Sequence, residues 1–237
     1  MLKIQKNPAF ISLLMVFSTI SQPVLAQVRF KPPSTKAPGV SQSGGTRGEC
    51  IAKTQRELQF VKALLPKENF GLTTAANPTL MVYVPKSTAK SLDIELRSLD
   101  KKQVLLKQNL PVPVNNSIVR INLRDPKIPQ LELNKNYYWK VTLVCPSKDN
   151  DAGGNSFAEG WIQRIQPDAK LQAAISKATP QTLPSIYAEA GIWLDALISL
   201  DTLFQQQPHN RLLTFNWKSF LKSGEVNDAI ASIPIVK

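Results

Sequence analysis

In the stretch Tyr137-Tyr138-Trp139-Lys140-Val141-Thr142-Leu143-Val144-Cys145 every second residue is apolar. Successive side chains of an extended chain point to opposite faces, so Tyr137, Trp139, Val141, Leu143 and Cys145 share one side. Tyr138, Lys140 and Thr142 share the other. That pattern predicts a strand lying on a core, with Trp139 as the core tryptophan and the second side turned toward solvent or an accessory element.

The same period recurs on both sides of this strand. Thr79 to Val84 is rich in strand-forming residues and stops at Pro85. Leu92, Ile94 and Leu96 alternate with Asp93, Glu95 and Arg97, and Ser98 to Lys102 reads as a hairpin connection into Val104 to Lys107. Ile118 to Leu123 and Phe157 to Ile165 complete the set, each bounded by Pro, Asn, Gly or Asp. Short strands with no helix-length segment between them predict an antiparallel, immunoglobulin-like β-sandwich over residues 49–166.

The period changes over residues 167–237, which are expected to form a small helical region. Ile186, Ala190, Trp193, Leu197, Leu200 and Phe204 recur at three and four residues, the stripe of one amphipathic helix from Pro184 to about Gln206. Pro184 suits its first turn. Further helices are expected over Asp168 to Ala178, over Asn216 to Leu221 and near Val226 to Ile233.

Toward the N-terminus, residues 1–26 carry the order of a secretory signal peptide. Lys3 and Lys6 precede an apolar run from Phe10 to Ile20, and Val24-Leu25-Ala26 supplies small residues before Gln27. The run is about half the roughly 20 residues a spanning helix needs. Residues 27–48 are rich in Pro, Ser, Gly and Thr, with Arg29, Lys31, Lys36 and Arg47 and no acid, and are expected to be a flexible basic leader.

The chain is formally +12, from 29 Lys and Arg against 17 Asp and Glu; without Lys3 and Lys6 it is about +10. Such a charge favours anionic partners. Export argues against nucleic acid and for an anionic envelope component or an acidic exported protein. Cys50 and Cys145 are the only cysteines. In an oxidising compartment they are most simply one disulfide, contributing roughly 4–5 kcal/mol in the chain-entropy model, with two buried thiols as the alternative. Two cysteines and a single distant histidine do not reach the four ligands of a structural zinc site.

Several motifs in order resemble one family. They are Gly44-Gly45-Thr46-Arg47-Gly48-Glu49-Cys50, Val82-Tyr83-Val84-Pro85, Tyr137 to Cys145, Glu159-Gly160-Trp161-Ile162-Gln163-Arg164 and Tyr187 to Leu197. Together they resemble the cyanobacterial family of exported proteins of unknown function named DUF928, although the family usually has Pro near Glu49. The resemblance implies a cyanobacterial source and an extracytoplasmic location, and it carries no enzymatic activity. It marks Trp139, Cys145, Glu159, Trp161, Arg164, Glu189, Trp193 and Asp195 as positions within the family pattern.

Catalytic motifs are missing from the sequence. His209 lies in a breaker segment, no Gly-x-Ser-x-Gly elbow is present, and Gly153-Gly154 lacks the lysine of a phosphate-binding loop. No cofactor motif stands out. Glu159 facing Glu189 or Asp195 would make a two-carboxylate hydrolase, against which ion pairing with Arg164 or a helix cap is the simpler account. Alternation puts Glu159, Trp161 and Gln163 on one strand face, which could line a groove; alternatively Trp161 packs on the helix from Pro184 to Phe204. The expected function is a noncatalytic exported interaction module of the envelope, with Glu159, Trp161, Arg164, Glu189, Trp193 and Asp195 as its candidate surface. A glycan-binding module is the second reading, favoured by exposed tryptophans and weakened by buried ones.

Overall fold

The computed structural model describes residues 27–39, 41, 44–45, 50–52, 58–124, 130–146 and 154–236. The expected signal peptide, Arg47 and Glu49 lie outside the described residues. Ten strands are described: β1 (Gly44–Gly45), β2 (Lys62–Ala63), β3 (Phe70–Thr73), β4 (Thr79–Val84), β5 (Ser91–Arg97), β6 (Val104–Leu110), β7 (Ser117–Asn122), β8 (Asn136–Val144), β9 (Ser156–Arg164) and β10 (Ile235–Val236). Four helices accompany them: α1 (Ala169–Lys177), α2 (Leu183–Glu189), α3 (Trp193–Gln206) and α4 (Arg211–Ser223).

The strands form two sheets. One runs β1-β9-β8-β5-β6, with β3 also paired to β9, and the other runs β10-β7-β4-β2. On one edge of β9, β1 pairs antiparallel at Ser156 and Phe157, and β3 pairs parallel from Phe70↔Trp161 to Thr73↔Arg164. A second parallel pair joins β10 to β7. The sheets are therefore mixed, not antiparallel throughout. Both parallel pairs unite segments far apart in the chain, and the alternation of a strand carries no information about the direction of its neighbour.

The long strands follow the expected period. Trp139 is 1% exposed, Val141 and Leu143 are fully buried, and Leu92, Ile94 and Leu96 face the same interior. Ser98 to Lys102 closes the β5–β6 hairpin, with Lys101 at φ 61°. Cys50 and Cys145 form a disulfide with their Cα atoms 5.6 Å apart. It ties the end of β8 to the segment whose Ala52 amide bonds the Lys86 carbonyl beside β4.

The stripe from Pro184 to Gln206 is two helices. Gly191, at φ +75°, ends α2, and a Cβ there would meet the Lys31 carbonyl oxygen at 3.1 Å. A left-handed residue is what closes a helix, and glycine adopts it without steric cost. The apolar period continues past the break because both helices rest on the same core. Asp168 caps α1 through a 2.7 Å bond from the Leu171 amide, and Asn210 caps α4 by accepting from the Leu212 amide at 3.0 Å. That cap starts α4 five residues earlier than expected. Beyond α4 a single 3-10 turn, Ile230–Ser232, replaces the expected short helix.

Residues 27–39 lie against the helices, contrary to the expected flexible leader. Val28 and Phe30 are buried, the Phe30 amide donates to Ser223 Oγ at 2.8 Å, and the Lys31 amide donates to the Ala188 carbonyl at 3.0 Å. Two apolar side chains and these backbone bonds supply what composition alone concealed. Helices and sheets share one hydrophobic core that includes Phe30, Leu65, Leu80, Trp139, Trp193 and Phe220. A bidentate pair, half-buried Arg120 to buried Asp201 at 2.6 and 2.7 Å, fastens α3 to β7. Among the described residues no helix is long and apolar enough to cross a membrane.

Candidate functional site

Of the family-pattern residues, Glu159, Trp161 and Arg164 fall on the two faces of β9, to which β3 is paired. On the outer face Trp161 joins Phe70, Leu72 and Tyr138 in a small apolar cluster. Tyr138 and Trp161 meet edge to face with ring centroids 5.4 Å apart, and the Tyr138 hydroxyl donates to Glu159 Oε2. Burial, then the bond to Glu159, pushes the Tyr138 phenol above its ordinary value. Lys101 caps the cluster, its Nζ 4.0 Å from the Tyr138 ring centre and 5.2 Å from that of Trp161. Gly39 also covers the indole: a Cβ there would stand 3.2 Å from a Trp161 ring carbon. The Trp161 indole nitrogen is buried and has no hydrogen-bond partner among the described residues.

Farther along this face the charges pair within β5 and across to β6. Arg97 bonds Glu95 Oε2 through both Nε and Nη2, Lys107 reaches Glu95 at 3.4 Å, and Asn109 donates to Asp93. Lys140 stands 4.3 Å over the Phe157 ring. This outer side of the sheet is a polar surface with one covered aromatic patch at its end.

Arg164, Asp195 and Trp193 belong to the opposite, helix-facing side. A Cβ on Gly71 of β3 would meet Leu194 of α3 at 3.0 Å, which places α3 against that face. Arg164 and Asp195 act on one residue, Thr74, just beyond β3. Arg164 Nε donates to the Thr74 carbonyl at 3.3 Å and Nη1 to the Leu131 carbonyl at 3.0 Å. The Asp195 carboxylate accepts from the Thr74 amide at 3.2 Å and the Thr74 hydroxyl at 2.5 Å. Burial raises the Asp195 carboxyl above its ordinary value, opposed by the Thr74 and Thr73 hydroxyls. Burial, and secondarily the Asp195 charge, likewise raises the Tyr187 phenol. Both groups line a cavity of about 180 Å³ with Asn77, Thr79, Arg124 and Ser199. Trp193 is fully buried, stacks on Phe220 at 4.2 Å, meets Phe30 edge-on at 4.8 Å and donates from Nε1 to the Leu64 carbonyl at 2.7 Å.

The expected grouping is therefore split by the sheet. Glu159 and Asp195 lie on opposite faces, because residues 159 and 161 share the side turned away from α3; they do not form a carboxylate pair. Arg164 is on the face opposite Glu159 for the same reason. Trp161 packs on Tyr138 and the N-terminal segment instead of on the helix. Glu189 is exposed at the end of α2. Burial of Trp139, Trp161 and Trp193 weakens the glycan-platform reading.

The match of a family model agrees with this arrangement of ordered motifs: the family described as Domain of Unknown Function (DUF928) covers residues 42–235. The chain belongs to that family. No curated protein matches it. The DUF928 span takes in both sheets and all four helices and begins after the docked residues 27–39, which pack on it nonetheless. Within the span, sequence reading missed Thr74, the residue that Arg164 and Asp195 hold in common, and Lys101. The hairpin position of Lys101 was legible, but its reach over Tyr138 depends on how β5 and β8 register.

Proposed function

We propose that this DUF928 protein is an exported, noncatalytic interaction module of the cell envelope, built on an immunoglobulin-like sandwich and directed at an anionic envelope component or an acidic exported protein. The signal-like order of residues 1–26 and the disulfide support the extracytoplasmic setting, and the family resemblance supports a cyanobacterial one. One observation carries the reading. The backbone of residues 27–39 is docked, yet Arg29, Lys31 and Lys36 remain exposed, so the segment presents a row of cations held against the body. Arg164, Trp193 and Asp195 are committed to main-chain groups of their own fold, which is the work of struts.

Attraction to such a row is screened over a Debye length of about 8 Å at physiological ionic strength. Replacing Arg29, Lys31 and Lys36 together by Gln leaves Val28 and Phe30 in place. Binding to isolated envelope fractions should weaken with salt, and more steeply for the natural chain than for the triple variant. Salt-independent binding that is equal for both would overturn the reading.

A further inference from the structure

The outer face of α4 has the composition of a membrane-contact surface. The helix buries Leu213, Asn216, Trp217, Phe220 and Leu221 and exposes Arg211, Leu212, Phe215, Lys218 and Lys222. At 100° per residue Arg211, Phe215, Lys218 and Lys222 fall on one narrow stripe, with Leu212 at its flank. Phe215 is 52% and Leu212 40% exposed, two of the few large apolar side chains on the described surface. The helix contains three cations and no acid. None of these cations has an ion-pair partner among the described residues.

The surroundings extend the same character. Gln27 Nε2 donates to Ser219 Oγ on α4, and Arg29 Nε donates to Gln27 Oε1, which adds a fourth cation beside the helix. On the other flank Thr214, Trp217 and Lys218 line an apolar cavity of about 320 Å³ with Phe204, Ile233 and Ile235. An exposed aromatic flanked along its stripe by cations that have no ion-pair partner among the described residues is poorly matched to water and well matched to a boundary that is anionic at the surface and apolar beneath.

We infer that α4 docks the protein on an anionic bilayer: Phe215 and Leu212 enter the interface while Arg211, Lys218, Lys222 and Arg29 meet lipid phosphates. This rests on the envelope reading above for access to lipid, and it names the partner and the surface. Charge complementarity selects the anionic bilayer, and the apolar pair distinguishes it from a soluble polyanion. Each basic residue near such a surface is worth about fivefold in partitioning, and the attraction falls with salt.

The test is co-sedimentation of the chain from Gln27 with vesicles of phosphatidylcholine alone or mixed with phosphatidylglycerol. Binding is expected only to the mixed vesicles. Lys218→Glu with Lys222→Glu should weaken it by more than about tenfold. Phe215→Ala should weaken it several-fold, with unchanged circular dichroism because the side chain is exposed. Reversing Lys170 and Lys177, exposed on α1, should change it less than twofold. No binding to mixed vesicles, equal loss in the α1 variant, or indifference to Phe215→Ala would each overturn the assignment. So would binding of polyglutamate that needs Lys218 and Lys222 but not Phe215, which would make this the face for an acidic protein. Export is tested separately: protein recovered outside the cytoplasm should begin at Gln27 by intact mass. Failure of vesicle binding with correct export leaves the envelope reading standing, and cytoplasmic retention with vesicle binding intact removes only the envelope reading.

Discussion

Trp193 and Trp161 are both buried and both covered by the same N-terminal segment, but they are held in different ways. Phe30 presses on Trp193 from within the main core, where the indole stacks on Phe220 and its N–H is bonded to the Leu64 carbonyl. Gly39 covers Trp161 in a cluster of four buried residues on the outer side of the sheet, and that indole N–H has no acceptor among the described residues. One tryptophan is a structural post. The other is a surface aromatic under a thin cover. Burial alone does not distinguish them; the hydrogen-bond account does, because a buried donor left unpaired costs about 1–3 kcal/mol.

The largest effect should come from the post. Trp193→Ala empties the contact between α3, α4 and the N-terminal segment, with an expected loss of about 4–5 kcal/mol in chemical denaturation. A loss below that of any Trp161 substitution would reverse the comparison.

Phe30→Ala tests whether the N-terminal segment belongs to the fold. About 3 kcal/mol should be lost. Limited proteolysis should then cut within residues 27–39, which should stay intact in the natural chain. Unchanged stability and unchanged cleavage would return this segment to the status of a leader.

A smaller effect is expected at Asp195, on the same side of the sheet as Trp193. Its folded-state carboxyl is raised above the ordinary 3.8, so the protonated form is the one that folding favours. The contribution is fully present below the unfolded value and is lost as pH rises through the folded one. Asp195→Asn, whose amide oxygen can still accept from Thr74, should gain on the natural chain as pH rises from about 3.8 toward neutrality. A stability difference constant over that window, measured by denaturation at each pH, would contradict the burial argument.

The smallest effect sharpens the comparison most. Trp161→Phe keeps an aromatic ring against Tyr138 and removes part of the indole ring with an N–H that has no acceptor among the described residues, so its cost should stay at about 1 kcal/mol, that of the lost ring volume. Trp193→Phe removes the donor to Leu64 and should cost distinctly more. Equal costs for the two Phe variants would show that the hydrogen-bond distinction is without energetic weight.

Much of the sheet framework was legible because the alternation of a half-buried strand is local. Trp139, the residues on its face, the β5–β6 hairpin and the starts of α1 and α2 all follow from two-residue or four-residue periods, caps and breakers. The same locality explains the errors. The four-residue β3 has too short a run to announce a period, and its parallel pairing with β9 is set by chain segments about ninety residues apart. The two helices α2 and α3 share a core, so their apolar stripe continues across Gly191 and conceals the break. The Pro- and Ser-rich composition of residues 27–39 hid Val28 and Phe30, whose burial exists only once α4 and Trp193 are in place.

The candidate site divides along the same line. Its residue types and its two strand faces were readable, since Glu159 and Arg164 stand an odd number of residues apart and must point to opposite sides. By itself, then, the sequence determined the strand faces, the core tryptophan of β8, the starts of α1 and α2 and the excess of positive charge. These depend on neighbours within a turn or two. Only the tertiary structure decided that α3 lies against the Arg164 face, that Thr74 is held by both Arg164 and Asp195, and that Arg29 joins the cations of α4 through Gln27 and Ser219. Those relations arise when distant segments are brought into contact, and a one-dimensional pattern specifies which surfaces must be buried without specifying which surface buries them.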